Sequence, residues 1–235
     1  SYHITLLTYN LKNMKKYAVL LHGTGVYDGT EIHEAVCCLL AIAQAGHQYQ
    51  CIAPDVLQHH VINHTTGEEM NESRNVFVES ARIGRGDIKK VSEVSADDFD
   101  GLVMPGGFGT AKNITKWAFQ GPDGPIIPEV KKLIIAFAEA KKPIAALCMS
   151  PTTLAKAFEG TPFHAKLSVG TTEAPSPYEI DAISQGMSKI GAEPEMKTVK
   201  EISVDAALKI VCAPCYMMEA NIVDVYENTK QAIAE

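Results

Sequence analysis

Long apolar runs are missing from this 235-residue chain. No stretch of 18 or more apolar residues occurs, so no membrane span and no membrane partner are expected. Cysteine is sparse: six residues are too few for a disulfide scaffold. Basic residues are in deficit, with 21 Lys and Arg against 28 Asp and Glu and a formal net charge of −7. A phosphate backbone would be repelled on average and no Lys/Arg stripe offsets this, so no nucleic-acid partner is expected. The lysine pairs at 15–16, 89–90, 131–132 and 141–142 read as solvated element ends. Internal repeats, low-complexity tracts and Pro/Ser-rich linkers are also absent.

What is present is ordinary globular composition, 46% hydrophobic and 21% charged. A chain of this length buries roughly 70–75% of its unfolded surface without staples. Residues 1–14 read as an N-terminal extension or an expression scar, because Met14 begins a more regular pattern. Residues 15–235 read as a single domain. Along them, short apolar runs alternate with segments of helical period.

Strands are expected at 17–22, 48–53, 88–91, 99–104, 143–147 and 164–169, and a hairpin at 202–206 and 209–212. Helices are expected at 31–45, 73–83, 128–140, 151–158, 176–190 and 217–233. A small excursion or hairpin is expected around 60–67. Strands separated by helices imply an α/β fold, a mainly parallel sheet covered on both faces. Ligands of such sheets bind beyond the carboxyl ends of the strands.

Cys148 stands at one such end, after an apolar strand and before a helix that Ser150 can cap and Pro151 can open. This is the setting of a nucleophile elbow. Free amides and the positive helix end should lower the thiol pKa. Glu31 begins the first helix and admits two readings. It is either an acid–base group beside the thiol or the third residue of a capping box begun by Asp28. Gly106 or Gly107, with the Met149 amide, is positioned to bind a developing oxyanion.

The glycine loop at residues 23–29 resembles a dinucleotide loop, but Asp28 occupies the third glycine position and would repel a pyrophosphate. Cys212 and Cys215 have redox-pair spacing, yet no second pair completes a metal site and structural cysteines are the expectation. His59, His60 and His64 read as solvated histidines. No metal and no cofactor are expected.

Taken together, residues 25–35, 53–55, 61–68, 74–75, 81–86 and 104–113, with Leu147 and Cys148, make the chain resemble a known family. It is the ElbB-like family, also called sigma cross-reacting or enhancing-lycopene-biosynthesis protein. That family lies in the ThiJ/PfpI branch of the class I glutamine-amidotransferase-like superfamily. The resemblance runs from about Lys15 to the C-terminus. It implies a flavodoxin-like three-layer sandwich, an elbow cysteine at Cys148, an acid at Glu31 beside it and backbone donors near Gly107.

Two departures matter. Protease members place a histidine directly after the elbow cysteine, where this chain has Met149, so protease and glutaminase activity are not expected. His164 is the remaining auxiliary histidine. Relatives often carry cysteine where this chain has Thr24.

The resemblance implies a cofactor-independent, glutathione-independent glyoxalase, a lyase of hydro-lyase type. It would convert glyoxal or methylglyoxal to 2-hydroxy acids through a cysteine hemithioacetal. The alternative is a redox-sensing or regulatory protein with an oxidisable Cys148, linked by family name to isoprenoid biosynthesis. The expected partner is a small carbonyl substrate, and a homodimer stays open. The expected location is cytoplasmic, or mitochondrial in a eukaryote.

Overall fold

The computed structural model describes residues 13–235 together with Ile4, Thr8 and Leu11. The expectation of an extension over residues 1–14 lies largely outside the described residues.

In chain order the elements are β1 (Lys16–Leu20), α1 (Ile32–Gln44), β2 (Gln48–Ala53), β3 (Val61–Asn63), β4 (Glu68–Met70) and α2 (Val76–Ser80). Then come β5 (Ile88–Lys90), β6 (Gly101–Met104), α3 (Trp117–Gln120), α4 (Pro128–Glu139), β7 (Ile144–Leu147) and α5 (Pro151–Phe158). The chain closes with β8 (Lys166–Leu167), α6 (Ile180–Lys189), β9 (Glu193–Pro194), β10 (Ser203–Asp205), β11 (Ile210–Ala213) and α7 (Ile222–Ala234).

Seven strands form one sheet in the order β10-β11-β7-β6-β1-β2-β5. All its pairs are parallel except β10 with β11. The fold is therefore α/β with a mainly parallel sheet, as the alternation implied. Every residue of β6, β7 and β11 is buried, which explains why these strands read as continuous apolar runs without alternation.

From β1 the chain steps one way to β2 and β5, then returns to β6 and proceeds the other way to β7 and β11. Right-handed crossovers therefore put the β1–β2 and β6–β7 helices on opposite faces. α1 packs against α7, and α4 against α5. The reversal lies between β1 and β6, and a crevice opens there beyond their carboxyl ends.

Several expected elements contract. The helix at 73–83 is only Val76–Ser80, begun by the Asn75 side chain, which accepts from the Val78 amide. The strand at 164–169 is two residues long and pairs with β9 in a separate ribbon. The last helix begins at Ile222, because Asn221 and Asp224 form a reciprocal capping box. Around 60–67 the expected hairpin is real: β3 and β4 pair antiparallel. No helix among the described residues is long and apolar enough to cross a membrane.

Candidate active site

Cys148 follows β7 directly and adopts φ 58°, a left-handed conformation uncommon for a residue with a side chain. Its amide donates to the Ala213 carbonyl of neighbouring β11 at 2.9 Å. The turn thus stays tied to the sheet while the side chain rises into the crevice. Ser150 does not cap α5 with its side chain. Its hydroxyl instead donates to the Pro105 carbonyl at 2.6 Å and ties the elbow to the loop after β6.

That loop comes very close. A Cβ added to Gly106 would lie 2.3 Å from the Cys148 Cβ and 2.9 Å from its sulfur, so only glycine fits. The amides of Gly107 and Met149 face the sulfur and favour its thiolate. The Gly106 amide is engaged elsewhere, donating to Glu34 Oε1 at 2.9 Å. Of the three expected donors, Gly107 and Met149 face the thiol and Gly106 does not.

The carboxyl group at the thiol is Glu34, not Glu31. Glu34 is fully buried beside Cys148, and its Oε2 receives the Tyr216 amide at 3.4 Å. Glu31 is the N-cap of α1, its Oε2 accepting the Glu34 amide at 2.7 Å. The implied contact of Glu31 with the thiol is therefore corrected by one helical turn. The capping box begun by Asp28 is corrected as well. Asp28 Oδ2 accepts from the Ile62 amide at 2.8 Å, and Glu31 itself is the cap.

A signal for Glu34 existed in the sequence. It lies in the buried stripe of α1 with Ala35, Cys38 and Ile42, and a carboxylate in an apolar stripe needs a reason to be there.

Burial, and after it the charge of Glu31, pushes the Glu34 carboxyl up to about 8. Burial, and then Glu34, pushes the Cys148 thiol well above the ordinary range, against the pull of the Gly107 and Met149 amides. The expected lowering of the thiol pKa is therefore overturned. Strand-end position supplied the amides, but complete burial and an adjacent carboxylate outweigh them. Two acids in buried contact do not both ionise readily, so they titrate as a pair.

Above the pair lies a small cleft lined by Val26, Gly107, Phe108, Tyr178, Tyr216 and Met217. The cleft has room for about one water-sized molecule. Burial, then Cys148 and Glu34, pushes the Tyr178 phenol up to about 12, so it remains a hydrogen-bond donor. Tyr216 takes its hydroxyl to His33 Nδ1 at 2.8 Å. Neither tyrosine stood out in the sequence, since both come from loops remote in the chain.

His164 is not gathered into this cleft. It is exposed, and its Nδ1 meets the Gly191 carbonyl at 2.9 Å. Thr24 donates to the Glu79 carbonyl at 2.6 Å. Cys212 and Cys215 are buried free thiols. Among the described residues no group of His, Cys, Asp and Glu could hold a metal ion.

The arrangement can hold one proton between a thiol and a carboxyl, stabilise negative charge on the sulfur through two amides, and admit only a small reactant.

Residues 24–159 match the model of the DJ-1/PfpI family. The chain is 39% identical over 90% of its length to the ES1 protein homolog, mitochondrial, of Rattus norvegicus, covering 79% of that protein. It is 40% identical over 87% of its length to the human glutamine amidotransferase-like class 1 domain-containing protein 3, mitochondrial, covering 75%. The crystal structure of an isoprenoid biosynthesis protein with amidotransferase-like domain from Ehrlichia chaffeensis superposes with a TM-score of 0.84 at 31% identity. It covers 94% of this chain and 96% of that one. By the family model and by these ES1 and ElbB-like relatives alike, the chain belongs to the DJ-1/PfpI family.

Proposed function

We propose that the protein is a cofactor-independent glyoxalase-type enzyme acting on glyoxal and similar small dicarbonyls. The observation that carries this reading is the buried pairing of the Cys148 thiol with the Glu34 carboxyl, a nucleophile beside a group that can carry a proton. Cys148 sulfur bonds to one aldehyde carbon, and the thiol proton passes by way of Glu34 to the carbonyl oxygen. The product is a hemithioacetal.

The Glu34 carboxylate then removes the hydrogen on that carbon, and the electron pair moves to the neighbouring carbonyl as an enediolate. The Gly107 and Met149 amides and the Tyr178 phenol supply donors for the developing charge. Glu34 returns the proton to the second carbon while the hydroxyl proton on the first carbon's oxygen moves to the second oxygen, leaving a 2-hydroxyacyl thioester on Cys148. Water cleaves it, restores the thiol and releases the acid. The net reaction is glyoxal plus water to glycolic acid. A carboxyl near 8 suits a group that must both take and return a proton at neutral pH.

The test is conversion of ¹³C-glyoxal to glycolate by purified protein without glutathione, followed by NMR. Folded wild-type protein that produces no glycolate at high enzyme concentration overturns the proposal.

A second reading is favoured by the size of the cleft floor, which suits hydrogen peroxide better than a four-heavy-atom dialdehyde. Peroxide would convert Cys148 to sulfenate and a second equivalent to sulfinate, releasing one water each time, with protonated Glu34 donating to the sulfinate. This makes the protein a redox-sensing regulator. The Ehrlichia relative is described as an isoprenoid biosynthesis protein, which supports a regulatory role of this kind. Peroxide-dependent sulfinate on Cys148 without any carbonyl turnover selects this reading.

A further inference from the structure

A second polar cluster lies immediately beyond Phe108. The segment Thr110–Ile114 is a π-helical turn, a rare form that often marks functional sites. It carries Lys112, with Lys116 one turn further on. Both lysines are partly buried, and neither forms an ion pair among the described residues. Elsewhere Arg74, Arg82, Lys90, Lys156 and Lys189 each meet a carboxylate.

Lys112 Nζ donates to the Tyr27 carbonyl at 2.7 Å and faces His60 Nε2 at 2.9 Å. Lys116 Nζ donates to the Lys112 carbonyl at 2.7 Å and faces His59 Nδ1 at 3.2 Å. Two partly desolvated ammonium groups thus rest on neutral acceptors. A buried cation costs free energy unless an anion compensates it; Asp28 and Glu69 favour the Lys112 charge only through space, without an ion pair, and burial outweighs them. Asp28 accepts from the Ile62 amide, and Glu69 is exposed and 3.9 Å from His60. His59 stacks on Phe119 with centroids 4.2 Å apart, which holds its ring in place. His59 and His64 are exposed, as solvated histidines should be, whereas His60 is partly buried.

We propose that Lys112, Lys116, His59 and His60 form a receptor for the phosphate dianion of a small molecule, sharing the Phe108 ring with the Cys148 cleft. Lys112 Nζ lies 5.5 Å from the centroid of that ring. Two lysines supply the matching charge. Each imidazole that turns from acceptor to donor by taking up a proton adds a further charge-assisted bond. The site requires no turnover at Cys148.

The groups that set the imidazole titrations are Lys112, Lys116, Glu69 and Asp28, together with each imidazole's neighbour. Burial first, and then lysine charge, holds both histidines below their ordinary range. A bound dianion must therefore raise both.

Histidine C2–H NMR titrations with inorganic phosphate, at ionic strength held constant with sodium chloride, test this. The expected result is a saturable response of His59 and His60, with both pKa values moving up and the distant His47 and His164 unmoved. Lys116→Gln should weaken binding roughly tenfold. Lys112→Met with Lys116→Gln should remove it, with folding checked by melting. Should the double variant not fold, Lys116→Gln alone decides. Glycerol phosphate binding more tightly than inorganic phosphate assigns the site to a phosphorylated metabolite, and equal binding assigns it to the ion itself. A response equal to that of chloride, or one unchanged by Lys116→Gln, overturns the proposal.

Discussion

Two neighbouring parallel strands, β7 and β11, each deliver a buried cysteine in left-handed backbone. Cys148 has φ 58° and Cys215 has φ 46°. Their surroundings differ. The Cys148 sulfur meets two amides, a buried carboxyl group and the floor of a cleft. The Cys215 sulfur lies 3.6 Å from Thr229 Oγ1, and its amide donates to Asn228 Oδ1 at 3.0 Å, which anchors the turn to α7. Strained backbone at a strand end is therefore no mark of chemistry by itself. The polar company of the sulfur decides.

The sharpest way to break this contrast is to remove each thiol in turn. Cys148→Ala should bring glyoxal turnover down to background, because no bond to substrate can form. Cys215→Ala should keep turnover within a few-fold of wild type. Equal loss in both variants, with both folded by circular dichroism, would mean that the β11 turn shares the chemistry.

Next in size is the comparison of the two carboxylates on α1. Glu34→Gln should lower turnover by roughly 10²–10⁴-fold, the range of a general acid–base group. Glu31→Gln should leave turnover near wild type. It should lower the melting temperature by about 2–4 °C, as expected for a weakened cap worth ~1 kcal/mol. The opposite pattern in a steady-state assay would return the proton transfer to Glu31.

The smallest expected effect is on stability against pH. Glu34 is raised in the folded state from 4.5 to about 8. Between these values the folded chain binds more protons than the unfolded one. The Glu34 contribution is therefore full below about 4.5 and is lost as pH rises to about 8. His22, fully buried with Nε2 3.2 Å from the Pro105 carbonyl, is lowered by burial from 6.5 to about 4. Its contribution is full above 6.5 and is lost as pH falls to about 4. Urea midpoints measured from pH 4 to 9 should fall at both ends. In Glu34→Gln the alkaline decline should flatten and the acidic one remain. An unchanged alkaline limb in that variant would show that Glu34 ionises normally.

Much of the fold was readable because its causes are local. Helix α5 begins at Pro151, and β2 spans Gln48–Ala53, both as expected. The elbow at Cys148 was legible for the same reason: strand, cysteine, serine and proline follow one another directly. Failures occurred where a partner remote in sequence decides. The two-residue β8 exists only through pairing with β9 across 27 positions, and a run of apolar residues does not name its partner.

The sequence by itself determined the α/β alternation, the crevice beyond the strand ends and the cysteine that stands in it. These follow from hydrophobic periodicity and from the steric rules of turns, which act over a few residues. Only the tertiary structure decided which of two carboxylates, one helical turn apart, meets the thiol. That choice depends on the rotation and depth of α1, set by its packing against α7 and by the Gly106 loop closing over Glu34. It also decided the protonation balance of the pair. A pKa follows from burial and neighbouring charge, and both exist only once β1, β6, β7 and the loop after β11 have come together.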